Sequence, residues 1–220
     1  MASQDTYQRA YSPRHKEQRA NDLIDAARRL AIQEGVRGVT LTAIATHAGV
    51  HVSAVRRYFD SREAILLGLA EEGYAEWVGA LIGQFENREN LSSAELARAM
   101  ANTLTERPLF CDLLTHVTLN LEREVTYERV RTFKTIVAAA LSQLGSAITA
   151  ATALTPEQAG DFIIAVIAMS APLWQAAHPA ETLTRLYEAE PRLAHVGIDF
   201  VPTLTRLLTN LCDGMALARG

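Results

Sequence analysis

The sequence predicts an all-α protein of about nine helices, arranged as a small three-helix head and a larger helical body. Three observations carry that expectation. Apolar residues recur at three- and four-residue spacing along most of the chain, and no stretch makes a convincing strand. Hydrophobic residues make up 49% of the chain but Phe, Trp and Tyr only 6%, which suits an Ala- and Leu-rich helical core. Helix-start signals also recur: Ser92 with Glu95, and Thr155-Pro156-Glu157-Gln158. At 220 residues the chain has room for one or two domains with a proper core.

The head comes first. Residues 1–14 are polar and read as a disordered arm, in which Arg9 and Arg14, with His15 and Lys16 just beyond, are within reach of a polyanion. An amphipathic helix over 15–34 puts Leu23, Ala26, Ala27, Leu30 and Ala31 on one face, and Gly35 and Gly38 bracket its end. Leu41, Ile44, Ala45 and Ala48 form one face of a short helix that Gly49 ends, because glycine takes positive φ without steric cost. Val50 plugs the turn. Val52, Val55 and Phe59 make a second apolar stripe, and Asp60 or Ser61 caps the next helix, with Glu63 in its first turn. Two helices of about two turns each, joined by a Gly-containing turn over residues 40–59, have the shape of a helix-turn-helix within a head spanning 15–73.

The body, 74–220, follows without a linker. One helix from Ser61 to about Phe85 belongs to both parts: Ala64, Ile65, Leu67, Gly68 and Leu69 support the head, and Tyr74, Trp77, Leu81 and Phe85 enter the body. Asn87-Arg88-Glu89-Asn90 is a polar loop. Further helices are expected over 92–105, 109–119, 127–150 and 156–177. A connection broken by Pro179, Pro191 and Gly197 holds a short helix near 182–189, and a last helix covers 201–218.

The polar face of the second short helix carries the functional signal. At about 100° per residue, Ser53, Ala54 and Arg57 point away from the core stripe, with Arg56 and Tyr58 on the flanks. A helix of this width fits the major groove of DNA, its outward side chains meeting base edges and its flanks meeting phosphates. Thr40, Ile44-Ala45, Ala48-Gly49-Val50, Tyr58-Phe59 and Ser61-Arg62-Glu63 stand in register with a known pattern, and the stretch from about Gln18 to Gly73 resembles the DNA-binding domain of tetracycline-repressor-type regulators. One departure is that Arg56 occupies the place where that family usually has a phosphate-gripping Tyr, and it can either make a charge-assisted phosphate contact or reach a guanine. The candidate DNA contacts are Thr40, Thr42, His51, Ser53, Arg56, Arg57, Tyr58 and Arg62. Of these, Thr40, Arg56, Tyr58 and Arg62 resemble the family's phosphate-contacting positions.

The resemblance implies a repressor that binds a palindromic operator in double-stranded DNA as a homodimer and is released by a small hydrophobic effector. The apolar helix with Phe162 to Trp174 and the last helix, with Leu204, Leu207, Leu208, Leu211, Met215 and Leu217, are the expected dimer surface. Trp77, Met100, Leu104, Phe110, Leu113, Val117, Phe133, Val137 and Trp174, with His116 as a polar group, are the expected ligand pocket in the body. The alternatives are a constitutive or architectural DNA-binding regulator without a ligand and, further off, an enzyme.

Charge agrees with DNA at one end. Residues 1–70 hold 10 Lys and Arg against 7 Asp and Glu, whereas residues 71–220 hold 11 against 18. Cys111 and Cys212 lack metal-ligand spacing and read as buried thiols. No catalytic motif, metal site or cofactor is assigned, since there is no Gly-rich phosphate loop, HExxH or paired-Cys pattern. No apolar run is expected to span a bilayer, and with no apolar segment at the N-terminus to act as a signal peptide, a cytoplasmic location without a membrane partner is expected.

Overall fold

A computed structural model describes residues 13–194 and 198–217 of the chain. Among these residues there are ten α-helices and no strand. The first, α1 (Pro13–Glu34), starts with a proline, whose missing N–H costs nothing in a helix's first turn. It therefore begins two residues before the expected helix start, and the rest of the arm, like His195, lies outside the described residues. Leu23, Ala26, Ala27, Leu30 and Ala31 are buried as their spacing requires.

Gly35, at φ 75°, turns the chain into a single 3-10 turn, Val36–Gly38. Then come α2 (Leu41–His47) and α3 (Val52–Val55), with Gly49 at φ 66° between them. Ile44, Ala45 and Val55 are buried in the head's core, where α2 packs on α1 and on α3, with Val50 and Val52 packed at the edge. Ser61 caps α4 (Arg62–Phe85) by accepting the Ala64 N–H at 3.1 Å. This helix runs unbroken from head to body and contacts α1 in the head and α5, α6 and α7 in the body.

The body consists of the rest of α4 with α5 (Ser93–Thr105), α6 (Pro108–His116), α7 (Tyr127–Ala151), α8 (Pro156–Ala177), α9 (Glu181–Ala189) and α10 (Phe200–Leu217). The Ser92–Glu95 and Thr155–Gln158 capping boxes form as the sequence signals require. The chain continues from α6 as a π-helical turn, Val117–Leu121, so the expected 109–119 helix changes pitch at its end. On α10, Leu204, Leu208 and Cys212 are buried, and the helix packs on α5 and α8. Both cysteines are free and buried, and the Cys111 thiol donates to the Leu104 carbonyl at 3.3 Å.

The bilayer expectation needs correcting. By length and composition α7 and α8 are both apolar enough to cross a membrane. Only 22% of that stretch of α7 and 33% of that of α8 is buried within the chain, so much apolar surface on these two helices faces outward.

Candidate nucleic-acid interface and the joint behind it

The helix pair is held by its own caps. Thr40 Oγ1 accepts the Ala43 N–H at 3.1 Å, and His51 Nδ1 accepts the Ser53 N–H at 3.3 Å while facing Ser53 Oγ at 2.9 Å. Both caps leave backbone N–H groups at a helix start, where an anion is favoured. Thr40, Thr42, His51, Ser53, Arg56 and Arg57 are exposed around this pair, and Tyr58 is half-buried beside them. Neither Arg56 nor Arg57 has an ion-pair partner among the described residues.

Two expectations about this surface change. The second helix is one α-turn rather than two. After Val55 the chain tightens, with Arg57 N–H donating to the Ala54 carbonyl at 3.2 Å and Tyr58 N–H to the Val55 carbonyl at 2.9 Å. The helix has to end there because Ser61, two residues past Phe59, is already in the extended conformation of the next cap. Arg62 does not join the exposed set. Its side chain is 22% exposed, its Nε lies 3.1 Å from Glu63 Oε1, and it is close enough to His116 of α6 to disfavour that ring's charged form. It faces the body.

Behind the helix pair, three polar contacts join the parts. Arg28 of α1 donates to Glu72 of α4 at 2.6 Å. Arg129 of α7 donates to the neighbouring carboxylate, Glu71, at 2.7 Å and to the Ala64 carbonyl at 3.4 Å. Asp112 of α6 accepts the backbone N–H of Val36, in the head, at 2.8 Å. Its other oxygen accepts from Gln175 of α8 at 2.9 Å and lies 3.8 Å from His116 Nε2. His116 is held below its ordinary pKa, first by burial and then by Arg62 and Arg37, against an opposing pull from Asp112 and Asn120. Sequence reading missed Asp112, Gln175, Glu71 and Arg129. The only local trace of the Asp112 contact was the Gly35–Gly38 pair, read as no more than a helix end.

The expected ligand pocket divides in two. Trp77, Met100, Leu104, Phe110, Leu113, Val117, Phe133 and Val137 are all buried and packed together. Phe110 meets Tyr74 edge-on at 4.9 Å and Trp77 at 5.9 Å, and the Trp77 indole N–H donates to Thr103 Oγ1 at 3.2 Å. Interlocked rings fill the space that the sequence leaves open for a ligand. Trp174 belongs to the same buried core and His116 is only partly buried, and both also line a cleft. Trp174 stacks on His178 at 3.8 Å and meets Phe200 at 5.1 Å. With His116, Gly35, Arg37, Asp112 and Gln175, it lines a cleft of about 610 Å³ where α1, α6 and α8 meet. A second cleft, about 550 Å³, lies between residues 58–61 and the start of α7, and a groove of about 750 Å³ runs between α7 and α8.

Comparison with known proteins bears on both parts of the chain. The family described as bacterial regulatory proteins of the tetR type matches residues 23–69, and the tetracyclin repressor-like C-terminal domain matches residues 71–219. An HTH-type transcriptional repressor of Mycobacterium tuberculosis is 28% identical over 95 residues, 42% of this chain. The match covers 36% of that relative, so the chain spans about a third of the length of the curated relatives it matches. Among solved structures, the fatty acid degradation regulator FadR from Bacillus halodurans has a TM-score of 0.55 at 15% identity, covering 89% of this chain and 95% of that one. FadR from Bacillus subtilis in complex with stearoyl-CoA has a TM-score of 0.53 at 17% identity, covering 89% and 98%. The multidrug binding protein EbrR complexed with imidazole has 0.53 at 22%, covering 88% and 94%. At these identities the likeness is one of fold.

Proposed function

Because the chain belongs to the tetracycline-repressor family of transcriptional regulators, we propose that it represses transcription by binding a palindromic operator as a homodimer, and that a small hydrophobic molecule releases it. One observation carries the DNA reading: Thr40, Thr42, His51, Ser53, Arg56 and Arg57 are exposed together around two capped helix starts, with two arginines that have no ion partner among the described residues. Base readout falls to Ser53 and Arg57, and phosphate contact to Thr40, Arg56 and Tyr58. The dimer reading is supported by the outward apolar surface of α7 and α8, with Ile164 65% exposed, and by Leu207 and Leu217 on the outer side of α10.

The effector reading rests on the aromatic and methionine composition of the core around Trp77, Met100 and Phe110, since such side chains repack around a guest. Solved relatives of the same fold are described with stearoyl-CoA and with imidazole. One observation favours a second reading, a constitutive regulator without an effector: that core is closed. A thermal-shift screen of small hydrophobic compounds, followed by release from DNA, decides between the two.

The DNA reading is tested by selection from a randomised duplex pool. The expected product is an inverted repeat whose half-sites lie about one helical turn apart, roughly 34–36 Å. A pool that stays random after repeated rounds removes the reading.

A further inference from the structure

Asp112 ties three elements together with one carboxylate. It sits on α6, and its Oδ2 accepts the N–H of Val36, a residue 76 positions away and fully buried. Its Oδ1 accepts from Gln175 Nε2 of α8, which also donates to Thr115 Oγ1 at 3.1 Å. Val36 opens the 3-10 turn that ends at Gly38, two residues before Thr40, the cap of α2. The carboxylate therefore holds the head close to the surface that meets DNA. The bond is charge-assisted, and its loss leaves a buried N–H without an acceptor.

We propose that Asp112 is a positioning residue for operator recognition: it sets the angle of the α2–α3 pair against the body and relays the position of α8 to the head through Gln175 and Val36. This rests on the homodimeric DNA reading above. The shared helix α4 joins head and body along a single rod, and Arg129 grips that same rod through Glu71 and the Ala64 carbonyl. These contacts hold the head along one line only. Asp112 fastens it at a second place, on the loop between α1 and α2, and so limits its tilt against the body. Its second oxygen is held by α8, the helix with Ile164 on its outward face. A shift of α8 in the dimer thus reaches the helix pair across two hydrogen bonds and need not pass through α4.

The test uses the full-length dimer and the duplex that the wild type itself selects, in two forms: the selected half-site spacing, and the same half-sites with two base pairs inserted. Wild type favours the selected spacing about tenfold or more, because the head separation must match the helical repeat. Asp112→Ala reduces that preference to about twofold and leaves the slope of log affinity against log salt unchanged, since no phosphate contact is lost. In the same variant the Val36 amide exchanges with solvent at least about tenfold faster, as expected when a bond worth more than a kilocalorie is removed. Gln175→Ala keeps Val36 protected yet lowers the spacing preference. Asp112→Asn has one acceptor oxygen left for Val36, so it restores Val36 protection; its NH2 group bonds Gln175 only after that amide turns over to accept, so the spacing preference falls between those of wild type and Asp112→Ala. A destabilising role alone would weaken binding to both duplexes equally. If Asp112→Ala does not fold, the other two variants carry the test. Val36 exchange and spacing preference that stay at wild-type values in Asp112→Ala, or a spacing preference that stays at the wild-type value in Gln175→Ala, overturn the inference alone. A wild type that enriches no duplex removes the DNA reading and this inference with it.

Discussion

Arg56 and Arg57 are exposed and unpaired among the described residues, so a nucleic acid reaches them without first breaking a salt bridge. On the proposed reading Arg57 meets a base edge, and Arg57→Ala costs about 1–3 kcal/mol of operator affinity and relaxes one position per half-site. Repeating the duplex selection with the variant checks this, and an unchanged consensus removes Arg57 from base readout. Arg62 differs: its sequence position suggested a phosphate contact, but its guanidinium turns inward beside Glu63. A motif in register specifies where a residue sits on its helix, whereas the direction of a long side chain depends on what packs beside it. A second residue-scale prediction concerns Cys111, whose thiol burial pushes up to about 12 from an ordinary 9.0. The folded state keeps a proton that the unfolded chain loses, so this contribution to stability is complete below pH 9.0 and declines as pH rises from there towards about 12. Urea midpoints measured below and above pH 9.0 should fall more for wild type than for Cys111→Ala.

At the scale of elements, α4 depends on close approach to α6. A Cβ at Gly73 would lie 2.4 Å from Phe110 Cδ2, and the Phe110 ring is already wedged against Tyr74 and Trp77. Gly73→Ala is therefore expected to cost about 1–3 kcal/mol by overpacking. Gly79, on the same helix, has nothing within 4 Å of its Cβ position, and Gly79→Ala should gain about 0.5–1 kcal/mol. Urea unfolding of the pair measures both, and equal effects would show that the α4–α6 contact is looser than described. What was legible in the sequence at this scale was local. The Thr155–Gln158 box closes within four residues, and its chemistry alone places the start of α8. The inward face of α4 was legible too, because 3.6-residue spacing names it; on α7 the same spacing names Phe133, Val137 and Leu144 correctly but also Ile136, which is exposed. Whether Trp77, Phe110 and Phe133 would enclose a cavity was not, since that depends on how rings from three helices interlock. The Asp112–Val36 bond joins residues 76 positions apart, and no spacing rule reaches so far.

The whole molecule presents more apolar surface than one chain covers. Ile164, 65% exposed on α8, is the most direct probe of what covers it. On the proposed dimer reading, Ile164→Arg weakens self-association by about 3 kcal/mol, roughly a hundredfold in dissociation constant, by placing an unpaired charge in the proposed interface. Sedimentation at several concentrations measures this, and a dimer that persists at wild-type strength places the interface elsewhere. The continuous helix between the two parts has another consequence. The two family domains meet between residues 69 and 71, in the first half of α4, next to Glu71 and Glu72, which are clasped from the body and from the head. A chimera that transplants this head onto another regulator's body at that seam would sever three partnerships at once: Arg28 with Glu72, Arg129 with the Ala64 carbonyl, and Val36 with Asp112. The graft becomes workable when the crossover moves past Glu72 and the recipient body supplies an arginine and a carboxylate in the places of Arg129 and Asp112.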